Sequence, residues 1–205
     1  LLTEPGRPDE PMPAWEDEHG TYIMNSRDLR AIQHVERLTA MGIHSLKIEG
    51  RTKSHYYVAR TAQAYRQAID DAVAGRRFDT RLMDELEKLA HRGYTEGFYR
   101  RHVHDAYQNY QQGTSLSGSQ QFVGEVMEVD AQGNRLLVAV KNRFHTGETL
   151  ELMTTQGNRA FILDGLYDRQ GQRIDTAPGS GHIVWIALPF AVPASAEFSL
   201  ILKNL

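Results

Sequence analysis

Cysteine is absent from the 205 residues, so neither a disulfide framework nor a thiolate metal site can be assembled from this chain alone. No apolar run approaches the roughly 20 residues that a membrane-spanning helix requires, and the first residues lack the basic-then-apolar order of a secretory leader. An excess of positive charge is missing too. The 23 Lys and Arg stand against 26 Asp and Glu, which excludes a surface coated with cations for unspecific nucleic-acid binding but allows local basic clusters. Neither a Gly-x-Ser-x-Gly elbow nor a His-Glu-x-x-His helix occurs, so hydrolase chemistry of those kinds finds little support. These absences point to a soluble, cytoplasmic chain. It opens Leu1-Leu2-Thr3 without an initiator Met, which suggests a piece of a longer protein.

With 40% hydrophobic and 24% charged residues the composition is that of one or two globular domains. Residues 1–20 carry Pro5, Pro8, Pro11 and Pro13 among many acidic residues and no apolar period, and they read as an irregular lead-in. Strand-like runs over 21–24 and 43–48 alternate with helical patterns. The first helix has Leu29, Ile32, Val35 and Leu38 at steps of three and stops at Gly42. The second is capped by Ser54 and carries Val58, Ala62, Tyr65 and Ile69. A third helix is predicted from Thr80 to about Ala90, ended by Gly93. Strand, helix, strand, helix is the unit of parallel sheets, so residues 21–112 read as the C-terminal βαβα portion of a TIM-like α/β barrel. Two such strands cannot stand alone. Their exposed edge needs the missing strands or a second copy of the chain, which makes a homo-oligomer possible through the incomplete barrel.

From about Gln120 the period becomes two. Short strands are predicted near 122–126, 136–140, 149–153, 160–166, 182–188 and 197–202, with Asp130 to Asn134 as a turn. Residues 120–205 therefore read as a small antiparallel β-barrel, separated from the first part by a polar boundary over 111–119. The fold class is α/β plus all-β.

The most unusual string is Ser45-Leu46-Lys47-Ile48-Glu49-Gly50-Arg51-Thr52-Lys53-Ser54. Tyr57-Val58-Ala59 and Tyr65-Arg66-Gln67-Ala68-Ile69-Asp70 follow it. Together with Met24 to Leu29, Ala90 to Phe98 and Phe122 to Glu125, these strings resemble the collagenase-like peptidase family of unknown catalytic type, number thirty-two. The resemblance runs from about Tyr22 to the end and is closest to the branch implicated in tRNA modification. It implies a barrel whose last strand ends in the Lys-Ile-Glu-Gly-Arg string, an enzyme acting in prephenate-dependent 5-hydroxylation of the wobble uridine, and tRNA and prephenate as partners. It also implies an iron-sulfur cluster held by cysteines in a missing N-terminal domain, and a terminal barrel like that of elongation factors.

Alternation in a strand sends Lys47, Glu49 and Arg51 to one side, and barrel enzymes keep their chemistry at the C-terminal ends of their strands. Arg51 and Lys53 precede a helix N-terminus, where free N–H groups favour an anion. Lys47, Arg51, Lys53 and Tyr57 are therefore candidate substrate-binding residues, and Glu49 is the candidate catalytic carboxylate, orienting Arg51 or Lys47. The alternative is a structural ion-pair cluster that closes the barrel. Arg100 and Arg101, amid Tyr94, Phe98, Tyr99 and Tyr107, are candidate RNA contacts, as are Lys141 and Arg143 near Phe144. Those residues suit a non-catalytic RNA-binding or assembly module equally well. His91, His102 and His104 match no zinc spacing, and no metal site is expected.

Overall fold

A computed structural model describes residues 2–4, 7–12, 14–17, 20–23, 25–51, 53–91, 93–99, 108–109, 118–193 and 195–205. The chain divides into two compact units, Leu1–Gly118 and Ser119–Leu205. It combines helices with one large antiparallel sheet.

In the first unit, Leu2–Glu4 pairs antiparallel with Arg7–Met12, and Ala14–Asp17 with Gly20–Ile23, where an irregular lead-in is predicted. The run expected as a strand over 21–24 is a strand at Gly20–Ile23, paired with Ala14–Asp17. Residues 43–50, by contrast, form no strand. Their extended pattern is in the sequence, but a strand exists only as a hydrogen-bonded neighbour of other strands, and none lies beside this segment among the described residues. The one parallel pairing described is short. Strand β1 (Asp28–Leu29) lies beside β2 (Tyr94–Thr95), and Asp28 donates its N–H to the Gly93 carbonyl. A 3-10 turn over Ile32–His34 then leads into α1 (Val35–Ala40), with Ile32 and Val35 fully buried.

Helix α2 (His55–Val73) starts at Ser54, whose Oγ accepts from the Tyr57 N–H at 3.2 Å, and α3 spans Arg81–Glu87. The buried face of α2 is not the predicted stripe. Tyr56, Arg60, Ala64 and Ala68, at steps of four, point inward, whereas Val58 is exposed. Arg60 can be fully buried because Glu85 of α3 takes its guanidinium at 2.8 Å and the Tyr56 ring lies 5.7 Å from it. Hydropathy along one helix cannot foresee a partner supplied by another.

The second unit is a seven-stranded antiparallel sheet. Its strands are β3 (Gln120–Asp130), β4 (Arg135–Val140), β5 (Thr149–Thr154), β6 (Gly157–Ile162), β7 (Leu166–Tyr167), β8 (Ile183–Ala187) and β9 (Leu200–Asn204). The order is β6-β5-β9-β3-β4-β8-β7. Burial alternates cleanly along β4 and β8, and the inward residues of the sheet, among them Val123, Leu136, Val138, Leu150, Leu152, Leu166, Ile186 and Ile201, make one apolar core. Gly124 is required where β3 passes β4, since a Cβ there would stand 2.3 Å from the Val138 side chain. Asn134 ends the β3–β4 turn with a φ of 53°. Its side-chain amide donates to the carbonyls of Leu188 and Phe190 at 2.7 and 2.9 Å and accepts from the Val192 N–H at 2.9 Å, stapling a distant loop to the turn.

Candidate functional site

The motif segment enters α2 through a tight turn. The Lys53 N–H donates to the Gly50 carbonyl at 2.9 Å, so Arg51 lies within the turn, directly before the Ser54 cap. A Cβ on Gly50 would meet the Val58 side chain at 3.3 Å, so a side chain there would crowd the turn against the first turn of the helix. Arg51 is exposed, and no ion pair to it is found among the described residues. Lys47 and Glu49 form a long ion pair of 3.4 Å, with side-chain exposures of 86% and 72%. A pair so open to water contributes little to stability.

Lys53 and Tyr57 turn the other way and converge on Asp28, a carboxylate only 8% exposed. Lys53 Nζ donates to Asp28 Oδ2 at 2.7 Å and lies 4.5 Å from the centre of the Tyr57 ring, and the Tyr57 hydroxyl reaches the same oxygen at 3.5 Å. The burial of Asp28 is tolerable because a cation compensates it within hydrogen-bond distance.

A second polar knot adjoins through β1 and β2. Glu87 accepts from Arg30 and pairs with His91 Nε2 at 3.1 Å, while His91 Nδ1 accepts from the Gly93 N–H at 3.0 Å, which places the ring proton on Nε2. The ring of Tyr94 meets the Arg30 guanidinium at 4.3 Å and stacks on His91 at 4.2 Å, and its hydroxyl donates to the Leu86 carbonyl at 2.7 Å. Burial first, and then the charges of Tyr57 and Glu87 nearby, push the Tyr94 phenol above its ordinary value. Beyond this knot, His34 Nε2 pairs with Glu96 at 2.7 Å and stacks on Tyr99.

The structure thus separates the predicted site residues. Lys47, Glu49 and Arg51 face solvent; Lys53 and Tyr57 come together on Asp28. Arg100 and Arg101 lie outside the described residues. In the second unit Lys141 pairs with Glu125 at 3.2 Å, and Arg143 is exposed, its carbonyl accepting from Lys203 at 3.3 Å. Asp28, Arg30 and Glu87 escaped the sequence reading as site residues, although Asp28 falls within the Met24 to Leu29 string that carries the resemblance. Among the described residues no group of three His, Asp or Glu is placed to hold a metal ion, and no helix is long and apolar enough to cross a membrane.

Residues 3–109 match the Peptidase family U32, and residues 118–201 match the Peptidase family U32 C-terminal domain. The chain belongs to peptidase family U32. Among individual relatives, it is 58% identical over 204 residues to the tRNA hydroxylation protein P of Escherichia coli (strain K12), a match covering 100% of this chain and 44% of that protein. It is 57% identical over 205 residues to the tRNA hydroxylation protein P of Haemophilus influenzae (strain ATCC 51907 / DSM 11121 / KW20 / Rd), again covering 100% of this chain and 44% of the relative. Similarity to a collagenase of Porphyromonas gingivalis is 30% over 87 residues, or 40% of this chain and 24% of that protein. The chain therefore spans less than half the length of the relatives it matches throughout.

Proposed function

We propose that this chain is part of a tRNA-modifying protein that hydroxylates the wobble uridine at carbon 5 with prephenate as co-substrate, and that the Lys47 to Arg51 segment binds an anionic group of a substrate. The observation that carries the reading is identity of 58% over the whole chain to a tRNA hydroxylation protein. The collagenase likeness covers only 40% of the chain at 30% identity, so the peptidase reading is not favoured.

In this reading residues 43–48 are the last strand of an α/β barrel in the longer protein, whose neighbouring strands lie in the remainder. Lys47, Glu49 and Arg51 would then face the barrel interior. Arg51, beside the N–H groups at the start of α2, grips a carboxylate or phosphate with two parallel hydrogen bonds. Glu49, already 3.4 Å from Lys47, orients that lysine or Arg51, and is the carboxylate proposed to act in catalysis. Lys53, proposed from the sequence as a second anion ligand, is engaged by Asp28, which leaves Arg51 as the principal one. Tyr57 lines the same end of α2. The second unit, read as an elongation-factor-like barrel, meets tRNA through Lys141 and Arg143, joined by Arg100 and Arg101. Cytoplasmic location follows from a tRNA substrate.

The iron-sulfur cluster expected for the family does not fit these residues, because no thiolate is available in this chain. Its ligands would come from the remainder of the protein.

The test is complementation of a strain lacking the modification by the full-length protein carrying Arg51→Ala, with nucleoside mass spectrometry of total tRNA. A loss of 5-hydroxyuridine derivatives of at least about tenfold, at unchanged protein abundance, is expected; wild-type levels would remove Arg51 from the site.

A further inference from the structure

We propose that Asp28 is a positioning residue that holds the Gly50–Ser54 turn, and with it Arg51, in the geometry that receives an oxyanion, acting through Lys53. This rests on the reading of Arg51 given above and adds the group that keeps it in place.

The argument starts from burial. Asp28 is 8% exposed and is anchored by its own N–H to the Gly93 carbonyl, so its carboxylate is a fixed point on β1. Lys53 is a flexible four-carbon chain that would ordinarily extend into water, since holding one rotamer costs it side-chain entropy. Here it is held from two sides, by Asp28 Oδ2 at 2.7 Å and by the Tyr57 ring at 4.5 Å, with its side chain only 21% exposed. Its backbone N–H closes the turn onto Gly50 at 2.9 Å. Fixing both the main chain and the side chain of Lys53 holds the turn that carries Arg51. The same ion pair also neutralises Lys53, so the full positive charge displayed at the start of α2 is that of Arg51. In the sequence Asp28 and Lys53 are separated by a helix and a strand-like run, which is why no local pattern connects them.

The experiment uses the 205-residue chain and follows the backbone amide signals of Lys53, Ser54 and Tyr57 by NMR, which every variant retains, while titrating inorganic phosphate in one arm and malonate in the other, which separates phosphate from dicarboxylate recognition. Thermal melts run in parallel. Arg51→Ala is expected to abolish the saturable shift. Asp28→Asn and Lys53→Met are each expected to raise the apparent Kd about 3- to 10-fold, and the double variant no further, because the two act as one unit. Asp28→Glu keeps the charge but displaces it by a methylene, so it retains the fold and shows an intermediate Kd; it decides the matter should Asp28→Asn not fold. If Arg51→Ala leaves the titration unchanged, the oxyanion reading of Arg51 is wrong. If Arg51→Ala abolishes binding while Asp28→Asn and Asp28→Glu stay within twofold of wild type, the reading stands and the role of Asp28 is overturned. A fall in melting temperature without a change in Kd likewise overturns it, since that is the signature of a structural ion pair.

Discussion

The two units of this chain are held together by different physics. Ser119–Leu205 is organised around one apolar core in which strand after strand contributes its alternate residues, and most of its ion pairs, such as Arg135–Asp130 and Arg173–Asp164, lie at the surface. Among its described residues, Leu1–Gly118 has a thinner set of buried aliphatic side chains and relies on polar knots that join separate elements. Arg60 to Glu85 ties α2 to α3, Asp28 to Lys53 ties β1 to the entrance of α2, and Arg30 with His91 on Glu87 ties β1 and the segment before β2 to α3. An apolar core is tolerant of the identity of its parts but demands volume; a polar knot demands specific partners at specific distances. A site that must present charge to a substrate is more readily built from the second kind of material.

The largest effect that separates the two regimes is expected in the sheet. Leu136→Ala removes a fully buried side chain from the centre of the core and should cost about 3 kcal/mol, within the usual range of about 2–5 for such truncations, measured by urea unfolding followed through Trp185 fluorescence. A loss below about 1 kcal/mol would mean that the core is not close-packed. The first unit should answer differently. Arg60→Met replaces a buried guanidinium by an apolar chain of similar length, and Glu85 keeps Lys88 at 2.6 Å as a partner, so the change is expected to stay within about 1 kcal/mol of neutral by urea unfolding followed through far-UV circular dichroism, since the described α-helices lie in the first unit. A loss comparable to that of Leu136→Ala would erase the contrast drawn above.

The smallest effect is a pH dependence at the β3–β4 turn. The N–H of Gly133 and the guanidinium of Arg135 hold the Asp130 carboxyl below its ordinary 3.8, so the unfolded chain takes up the proton first as pH falls. The stability this group contributes is present above pH 3.8 and is lost as the pH drops through the lower folded value. Asp130→Asn should flatten the acid limb of the stability curve below about pH 4 without altering its neutral plateau beyond the loss of that contribution. An acid limb identical to wild type would show that the turn does not bind the carboxylate in solution.

The difference between the regimes also explains what was legible in the residues. Period-two alternation pointed to β3, β4, β5, β8 and β9 to within a few positions, because in a sheet with one buried face the side chain itself records which way it points. The run expected as one strand over 160–166 is two, β6 and β7, and Asn134 read only as a turn residue although it clamps a loop more than 50 positions away. In the first unit, Ser54 announced the start of α2, but the inward face of that helix was misjudged, since Arg60 reads as solvent-facing until Glu85 is seen opposite it. The string from Ser45 to Ser54 stands out as a unit of sequence, but it does not show that Arg51 and Lys53 part company.

From its residues alone, the chain determined its family, its change from helical to alternating pattern near Gln120, its helix caps and its lack of any thiolate ligand, all of which are local properties of type and spacing. Only the tertiary structure decided which charges are neutralised and which are displayed: Asp28 for Lys53, Glu85 for Arg60, Glu87 for Arg30 and His91, and solvent for Arg51. The reason is that a polar group's environment is set by the partner the fold brings to it, and that partner leaves no periodic trace in the sequence nearby.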